Sequence, residues 1–270
     1  MGAGVASRLP PGPPGTGEMI CHQDGGGNRT KGAMIPMLSP QTTRLLGAVS
    51  TATLTTQLFK RGFRNAYMQG VRPLGRYGRT LVGPAFTLRY IPAREDLDVL
   101  EVYANPEHKQ RKAIEVTPAE HVLVIDCRGD ARAAASGHIL ITRLSTRGVA
   151  GMVCDGGVRD SAPIAAMDFP VFCAAPSAPL GLIAHHAVEF GVPIGCGGVA
   201  VFPGDVIVGD ADGVVVVPEA IAEAVAADAF EQERMEVFLQ ERIAGGAALA
   251  GTYPPNEETR QAYASWRAGR

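Results

Sequence analysis

Three short runs of branched aliphatic residues, each followed by a turn sequence or a proline, constrain the fold more than any other feature of the chain. The runs are 199–202, 206–208 and 214–217. Branched aliphatic residues favour strands, and Gly, Pro and Asp favour turns. We expect Pro203-Gly204-Asp205 to join the first two runs as a hairpin, and the segment 210–213 to form a second hairpin turn. Pro218 then opens a long helix that reaches about Ile243.

The preceding part of the chain mixes helix and strand patterns. The predicted elements are a helix at 50–61 capped by Ser50 or Thr51, a strand pair or one bent strand at 80–91 with a break at Gly83-Pro84, a strand at 122–125, a helical pattern at 131–147 broken by Gly137, a buried strand at 148–154, a short helix at 161–167 and a strand at 170–174. This mixed order, with hairpins towards the C-terminus, favours an α/β fold. We expect a layered sheet-and-helix domain rather than a fully parallel doubly wound sheet.

The composition divides the chain into three segments. Residues 1–37 are rich in Gly and Pro and offer few core-forming side chains, so we expect a disordered tail. Residues 38–250 form the predicted α/β domain. Residues 251–270 form an amphipathic C-terminal extension that we expect to pack on a partner subunit.

The overall composition excludes several classes of protein. Hydrophobic residues make up 46% of the chain and charged residues 19%, which allows a large core. No basic run suggests nucleic-acid binding, and no apolar run reaches membrane-spanning length. The five cysteines are scattered without a CxxC pair, which argues against a disulfide framework. We therefore expect a soluble cytoplasmic protein that binds a small molecule, not nucleic acid or a membrane.

The segment 155–160, Asp-Gly-Gly-Val-Arg-Asp, is the strongest candidate for chemistry. It follows a predicted buried strand, and its glycines allow the backbone to approach a ligand closely. Arg159 can bind a carboxylate with two hydrogen bonds, and Asp160 offers a hard oxygen ligand to Mg²⁺ or Mn²⁺. The alternative is structural: Asp160 caps the following helix and Arg159 pairs with a surface acid. The pattern alone does not choose between them.

A second candidate lies 22 residues before Arg159, counted from Gly137. The sequence Gly137-His138-Ile139-Leu140 resembles a glycine turn followed by the start of a helix. Free backbone N–H groups at a helix N-terminus bind anions. The alternative is a loop glycine in front of a packing helix.

Several blocks of the chain, in this order, resemble the RraA-like family. They are GxxL from Gly137, GVAGMVCDGGVRD at 148–160, FPVF at 169–172 and VPIGCGGVAVFPGDVIVGDADGVVVVP at 192–218. The family includes 4-hydroxy-4-methyl-2-oxoglutarate/4-carboxy-4-hydroxy-2-oxoadipate aldolases and the regulator of ribonuclease E activity A. The resemblance spans roughly residues 45 to 245. It implies a fold like the phosphohistidine swivelling domain, assembled as homotrimers or homohexamers with sites between subunits.

The resemblance also implies roles for individual residues. Backbone N–H groups of Gly137, His138, Ile139 and Leu140 would hold a pyruvate-forming substrate. Arg159 would bind the pyruvyl oxygens and stabilise the enolate, and Asp160 would ligate Mg²⁺ or Mn²⁺. The implied reactions are aldol cleavage of a 4-hydroxy-2-oxo diacid and decarboxylation of oxaloacetate. An acid from a neighbouring subunit would assist, and the candidates are Glu231, Glu233 and Glu236.

The chain departs from the family's aldolase pattern at two positions. That pattern has an acid, twenty residues, Arg-Asp, two residues and a second acid, whereas this chain has His138 and Pro163 at the acid positions. Histidine can carry a proton or ligate a metal, but it does not replace the negative charge. Three hypotheses follow: a metal-dependent lyase with His138 as proton carrier or added ligand, a non-catalytic regulatory binding protein, or a homologue with a changed reaction.

Overall fold

The computed structural model describes residues 38–269, so the tail expected at 1–37 lies outside the described residues. The helices are α1 Pro40–Gly47, α2 Thr51–Lys60, α3 Lys109–Val116, α4 His138–Thr146, α5 Ser161–Ala165, α6 Ala222–Ala244 and α7 Glu257–Ala268. Short 3-10 helices cover Leu100–Ala104, Gly181–Ile183 and Glu219–Ile221. The strands are β1 Arg72–Pro73, β2 Leu81–Pro92, β3 Val122–Asp126, β4 Ala134–Ser136, β5 Gly151–Cys154, β6 Gly157–Val158, β7 Val171–Cys173, β8 Ala175–Pro176, β9 His185–Phe190, β10 Ile194–Cys196, β11 Val199–Val201, β12 Val206–Gly209 and β13 Val214–Val217.

A mixed eight-stranded sheet organises the domain. Its order is β1-β7-β5-β3-β2-β12-β13, and β9 also pairs with β2. The inner strands β2, β3, β5 and β7 run parallel, whereas β1, β9, β12 and β13 are antiparallel to their neighbours. Helices cover this sheet, which confirms the expected layered α/β class.

Strand β2 is continuous, so the expected break at Gly83-Pro84 was wrong. Pro84 is tolerated because it pairs with Val206 of β12 on one edge, while the ladder to β3 on the other edge begins only at Ala85. Gly83 is needed for close packing, because a Cβ there would lie 2.5 Å from the Glu120 carbonyl oxygen. The strand therefore passes unbroken from the antiparallel to the parallel part of the sheet.

The run 199–202 does not pair with the run 206–208, which corrects the first expected hairpin. Strand β11 pairs with β10 through a turn at Gly197-Gly198, where both residues have positive φ. Two successive positive φ values match the twist of a two-residue hairpin, and glycine adopts them without strain. Strand β12 instead pairs with β13, and the expected turn at 210–213 is present, closed by a 3.0 Å bond from Asp210 N–H to the Gly213 carbonyl.

The helical pattern expected from residue 131 begins only at His138, which is the third correction. Residues Ala134–Ser136 form β4, which pairs in parallel with β6, and β6 pairs in parallel with β8. These strands follow β3, β5 and β7 along the chain, so each central strand leads into one strand of a small second sheet. Pairing with β6 overrides the helical preference of the Ala-rich segment.

Side chains from both faces of the central sheet are buried. In β3, Leu123 and Ile125 belong to one core cluster, whereas Val122 and Val124 belong to another. Burial on both faces explains why these strands are continuously apolar rather than alternating. Four cysteines, Cys127, Cys154, Cys173 and Cys196, are buried and unpaired with one another. Among the helices within 38–269, none is both long and apolar enough to cross a bilayer.

The C-terminal extension packs on its own chain through α7, and its contact with a partner subunit stays a prediction. Tyr263 and Trp266 of α7 stack at 5.9 Å and contact Phe238 of α6. The Tyr263 hydroxyl donates to Glu231, 2.9 Å away, and Arg267 bonds the same carboxylate. The aromatic surface is thereby covered within the protomer.

Candidate active site

The small sheet β4-β6-β8 carries the Arg159-Asp160 pair to one edge of the domain. Arg159 follows β6 directly, and its N–H donates to the Ser136 carbonyl of β4 at 3.1 Å. This bond places Arg159 beside Gly137 and the start of α4. Parallel strands commonly present ligand-binding residues at their carboxyl ends, which is where this pair lies.

The Asp160 carboxylate reaches back to α4 and does not cap its own helix. Asp160 occupies the N-cap position of α5, but its side chain makes no capping bond there. Instead its Oδ2 accepts from the His138 N–H at 3.2 Å and lies 3.6 Å from Arg159 Nε. The Asp160 carboxylate therefore does not cap α5 but contacts the first N–H of α4 instead. Its backbone adopts φ of 57°, an uncommon left-handed conformation of a kind found at functional sites.

Gly137 is required by space rather than by its backbone angles, since its φ of −138° is ordinary. A Cβ at this position would lie 2.8 Å from Arg159 Cγ and 3.0 Å from Asp160 Oδ2. Both distances are tighter than normal carbon contacts. The glycine thus lets the two side chains lie directly against the backbone that precedes α4.

The start of α4 presents free donors beside the pair. Hydrogen bonding within α4 begins with the Ile141 N–H, which donates to Gly137 at 3.1 Å. The His138 N–H is taken by Asp160, whereas those of Ile139 and Leu140 have no acceptor among residues 38–269. Two backbone donors and the Arg159 guanidinium thus lie close to one carboxylate, a set suited to an oxygen-rich anion.

A cavity of about 300 Å³ contains these groups. Its lining consists of Tyr103, Gln110, Arg111, Ala134, Ser136, Gly137, Ile139, Leu140, Arg159, Asp160, Leu180 and Gly181. Arg111 stacks on the Tyr103 ring at 4.5 Å. Burial raises the pKa of Tyr103, while the positive charges of Arg111 and Arg159 oppose that rise. Tyr103, Gln110 and Arg111 were not singled out from the sequence, because they lie far from the glycine-rich segments and carry no spacing signal.

The other expected site residues are placed less centrally. The half-buried His138 contributes its backbone N–H, but its side chain is not part of the cavity lining. Pro163 lies exposed on α5. Glu233 accepts bonds from Ser50 N–H and Oγ at 2.8 and 2.7 Å, and Glu231 is bonded to α7. Glu236 accepts a bond from Gln232 and lines a separate surface cavity.

Asp155 is the first residue of the segment 155–160, and its side chain connects three loops. Its buried carboxylate accepts from the N–H groups of Cys127, Gly129 and Gly197 at 2.7, 3.0 and 3.2 Å. These bonds satisfy the buried charge and support the backbone that leads to Arg159. No group of three or more potential metal-ligating His, Cys, Asp or Glu side chains occurs within the described part of the chain.

Comparison with known proteins identifies a family and a shared fold. The RraA-like family model, described as Aldolase/RraA, matches residues 51–216. A Halalkalibacterium halodurans protein named "Putative 4-hydroxy-4-methyl-2-oxoglutarate aldolase" is 37% identical over 152 residues, which cover 55% of this chain and 64% of that protein. The chain thus matches less than two thirds of that relative's length.

Two solved structures share the fold. Streptomyces coelicolor RraAS2, described as an unusual member of the RNase ES inhibitor RraA protein family, has a TM-score of 0.66 and 30% identity, covering 76% of this chain and 98% of its own. An uncharacterised Pseudomonas syringae protein has a TM-score of 0.68 at 24% identity, covering 80% and 98%, which supports the fold alone. The fold and the site thus define an α/β protein with a cavity at the carboxyl ends of the strands of its small sheet. The chain belongs to the RraA-like family.

Proposed function

We propose that this protein is a divalent-metal-dependent lyase that acts on a small 2-oxo acid. The reaction is aldol cleavage of a 4-hydroxy-2-oxo diacid to give pyruvate, decarboxylation of oxaloacetate, or both. The observation that carries the proposal is the Asp160 carboxylate, which turns away from α5 to lie beside Arg159 and the start of α4. The aldolase name of the 37%-identical relative supports the same class of reaction.

The residues of the cavity bind the substrate and stabilise the negative charge that develops on it. Arg159 binds the carboxylate and carbonyl oxygens of the substrate in a bidentate manner. The free N–H groups of Ile139 and Leu140 hold the remaining oxygen of the carboxylate. In aldol cleavage the 4-hydroxyl gives its proton to water or to a base and its carbon becomes a carbonyl, whereas in decarboxylation the leaving group is CO2. In both reactions the electron pair of the broken carbon–carbon bond forms the pyruvyl enolate, which then takes up a proton to give pyruvate. Arg159 stabilises the negative charge that forms on the enolate oxygen.

The donor set of the cavity fits Mg²⁺ or Mn²⁺. One oxygen of Asp160 is engaged by His138, while Oδ1 accepts no hydrogen bond from residues 38–269. Mg²⁺ keeps several waters and often binds through only one or two carboxylates, so a single Asp suffices on the protein side. Asp160 would hold the metal, which would supply Lewis-acid stabilisation of the enolate charge.

The two departures from the aldolase pattern bear on metal affinity and on proton transfer. His138 replaces an acid, and we propose that its imidazole carries a proton or adds a ligand, although only its backbone N–H contacts Asp160. We also propose that a second subunit completes the site as part of a homotrimer or homohexamer. Of the three acids considered, Glu236 is the one that neither α2 nor α7 binds, which favours it for that role.

The proposal is tested by pyruvate release from 4-hydroxy-4-methyl-2-oxoglutarate and from oxaloacetate, with Mg²⁺ or Mn²⁺. Turnover is expected with metal, and Asp160→Asn is expected to lower kcat/KM at least about a hundredfold because a metal ligand is lost. Asp168→Asn, an exposed acid on the α5–β7 loop, is the matched control. No turnover by the wild type, or an unchanged rate in Asp160→Asn, would refute the proposal.

The second candidate function is regulatory binding of a protein partner. It is favoured by the likeness to Streptomyces coelicolor RraAS2 and by His138 and Pro163 at the acid positions. This function requires no metal. Calorimetric titration with Mn²⁺ therefore separates the two: binding lost in Asp160→Asn supports the lyase, and absence of binding favours the regulator.

A further inference from the structure

Two buried polar atoms in the cavity have no hydrogen-bond partner among the described residues, and they lie on neighbouring elements. Gln110, on α3, is 6% exposed, and Ser136, at the end of β4, is 3% exposed. Gln110 Oε1 and Ser136 Oγ both lack a partner, and both residues line the cavity that contains Arg159 and Asp160. An unpaired buried polar group is costly, so each of these atoms calls for a partner such as a water, an ion or a ligand group.

The orientation of the Gln110 amide determines what it can recognise. Its Nε2 donates to the Ala135 carbonyl at 2.7 Å, and rotating the amide would place two acceptors against each other. Oε1 is therefore left as a pure acceptor. Ser136 follows Ala135 directly, and its hydroxyl can both donate and accept. An acceptor and a hydroxyl that line the same cavity suit a ligand hydroxyl group, which donates one hydrogen bond and accepts another.

The other residues that line this part of the cavity indicate which ligand group it favours. Tyr103, stacked on Arg111, closes one side, and a Cβ placed on Gly181 would lie 3.6 Å from the Tyr103 hydroxyl. Arg111 also carries a buried Nε that has no hydrogen-bond partner within residues 38–269. A carboxylate alone would engage Arg111 but would leave Gln110 Oε1 facing another acceptor. The unpaired Gln110 acceptor therefore favours a hydroxyl at this position.

We propose that Gln110 and Ser136 form a hydroxyl-recognition subsite that selects 2-oxo acids carrying a hydroxyl group beyond the pyruvyl portion. The inference rests on the proposed lyase function and deepens it, because it names the residues that separate hydroxylated substrates from oxaloacetate, which has no hydroxyl in its keto form. These residues determine specificity, whereas Arg159 and Asp160 serve both reactions.

The test compares kcat/KM for 4-hydroxy-4-methyl-2-oxoglutarate and for oxaloacetate in the wild type, Ser136→Ala and Gln110→Met. Both variants are expected to lose about tenfold or more on the hydroxylated substrate and to stay within about twofold on oxaloacetate. Ser136→Ala is the cleaner variant, because Oγ makes no hydrogen bond to any of residues 38–269 and its removal is not expected to lower Tm. Ser145→Ala is the matched control, because Ser145 lies on α4 outside the cavity lining. This variant should change neither rate.

The outcomes separate this inference from the proposed function. Equal losses on both substrates, or no loss in either variant, would overturn the subsite while leaving the lyase proposal intact. A wild-type protein that turns over neither substrate would overturn the lyase proposal and the subsite with it. A selective loss on the hydroxylated substrate, with Tm preserved in Ser136→Ala, supports the subsite.

Discussion

At the scale of single residues, the candidate site depends on how closely two side chains approach a backbone. Arg159 and Asp160 lie against Gly137, and Asp160 adopts a left-handed conformation to do so. A left-handed Asp costs about 1 kcal/mol or more relative to ordinary backbone angles. The surrounding bonds hold it there: Arg159 N–H to Ser136, and His138 N–H to Asp160.

Gly137→Ala tests this close approach. The added methyl group would lie 2.8 Å from Arg159 Cγ, which is near the backbone end of the side chain and cannot simply swing away. We expect kcat/KM to fall at least about tenfold through misplacement of Arg159 and Asp160, while Tm falls by only a few degrees.

Gly195→Ala is the matched control for that substitution. Gly195 lies in β10, and a Cβ there meets no atom within 4 Å. Its replacement should leave the rate unchanged. If Gly137→Ala retained the wild-type rate, the pair would not need its present position and the site assignment would be wrong.

At the scale of elements, the long helix α6 is tied to the start of α2 through one carboxylate. Glu233 accepts from both the N–H and the hydroxyl of Ser50, and Ser50 in turn caps α2. The sequence interpretation placed Glu233 among acids offered to a neighbouring subunit, but within this chain it completes a helix cap. A charge-assisted bond to a backbone N–H stabilises a helix start by about 1 to 2 kcal/mol.

The hydrogen bonds between Glu233 and Ser50 should make the free energy of unfolding depend on pH. Burial raises the Glu233 pKa, but the hydrogen bonds from Ser50 outweigh it and the net pKa is below the usual 4.5. A lowered folded-state pKa means that the stabilisation is complete above about pH 4.5 and is lost as pH falls further through the folded-state value.

We therefore expect Glu233→Gln to lower the free energy of unfolding by about 1 kcal/mol at neutral pH and to converge with the wild type in acid. Urea denaturation from about pH 7 to about pH 3 measures both. Glu258→Gln, at an exposed position on α7, is the control. Its free energy of unfolding should show the same pH dependence as that of the wild type. A constant difference between Glu233→Gln and the wild type at every pH would contradict the assignment.

At the scale of the whole molecule, the cavity opens onto a surface with apolar side chains. Ile139, at the mouth of the cavity, is 84% exposed, and Ile183, in the 3-10 helix after Leu180, is 64% exposed. Exposed aliphatic side chains grouped around a cavity are typical of an interaction surface. This arrangement supports the proposal that another subunit completes the site.

Ile183→Asp tests the assembly. A charge placed in a buried interface is strongly unfavourable, so the particle mass in light scattering is expected to fall from a trimer or hexamer towards a monomer. Because Ile183 is not part of the cavity lining, pyruvate release is expected to fall only through loss of the partner. A variant of unchanged mass, or a wild-type protein that is itself monomeric, would contradict a site shared between subunits.

Much of the candidate site could be read from the chain because its signals are local. Gly137 and the Arg159-Asp160 pair lie in glycine-rich segments next to apolar runs, where close approach and a strand end are visible in the pattern. The cavity wall of Tyr103, Gln110 and Arg111 had no such signal. These residues lie between 48 and 56 positions before Arg159. Gln110 and Arg111 reach the cavity because α3 packs beside α4.

The sequence by itself determined the layered α/β class, the helix capped at Ser50, the turn at 210–213 and the long C-terminal helix, since each depends on residues close in the chain. Only the tertiary structure decided the partner of each strand: β11 with β10, β12 with both β2 and β13, and β4 with β6. It also decided that Asp160 reaches α4 instead of capping α5. The physical reason is that strand pairing and side-chain contacts between distant segments gain their free energy only when the whole core is buried, and no local preference encodes that choice.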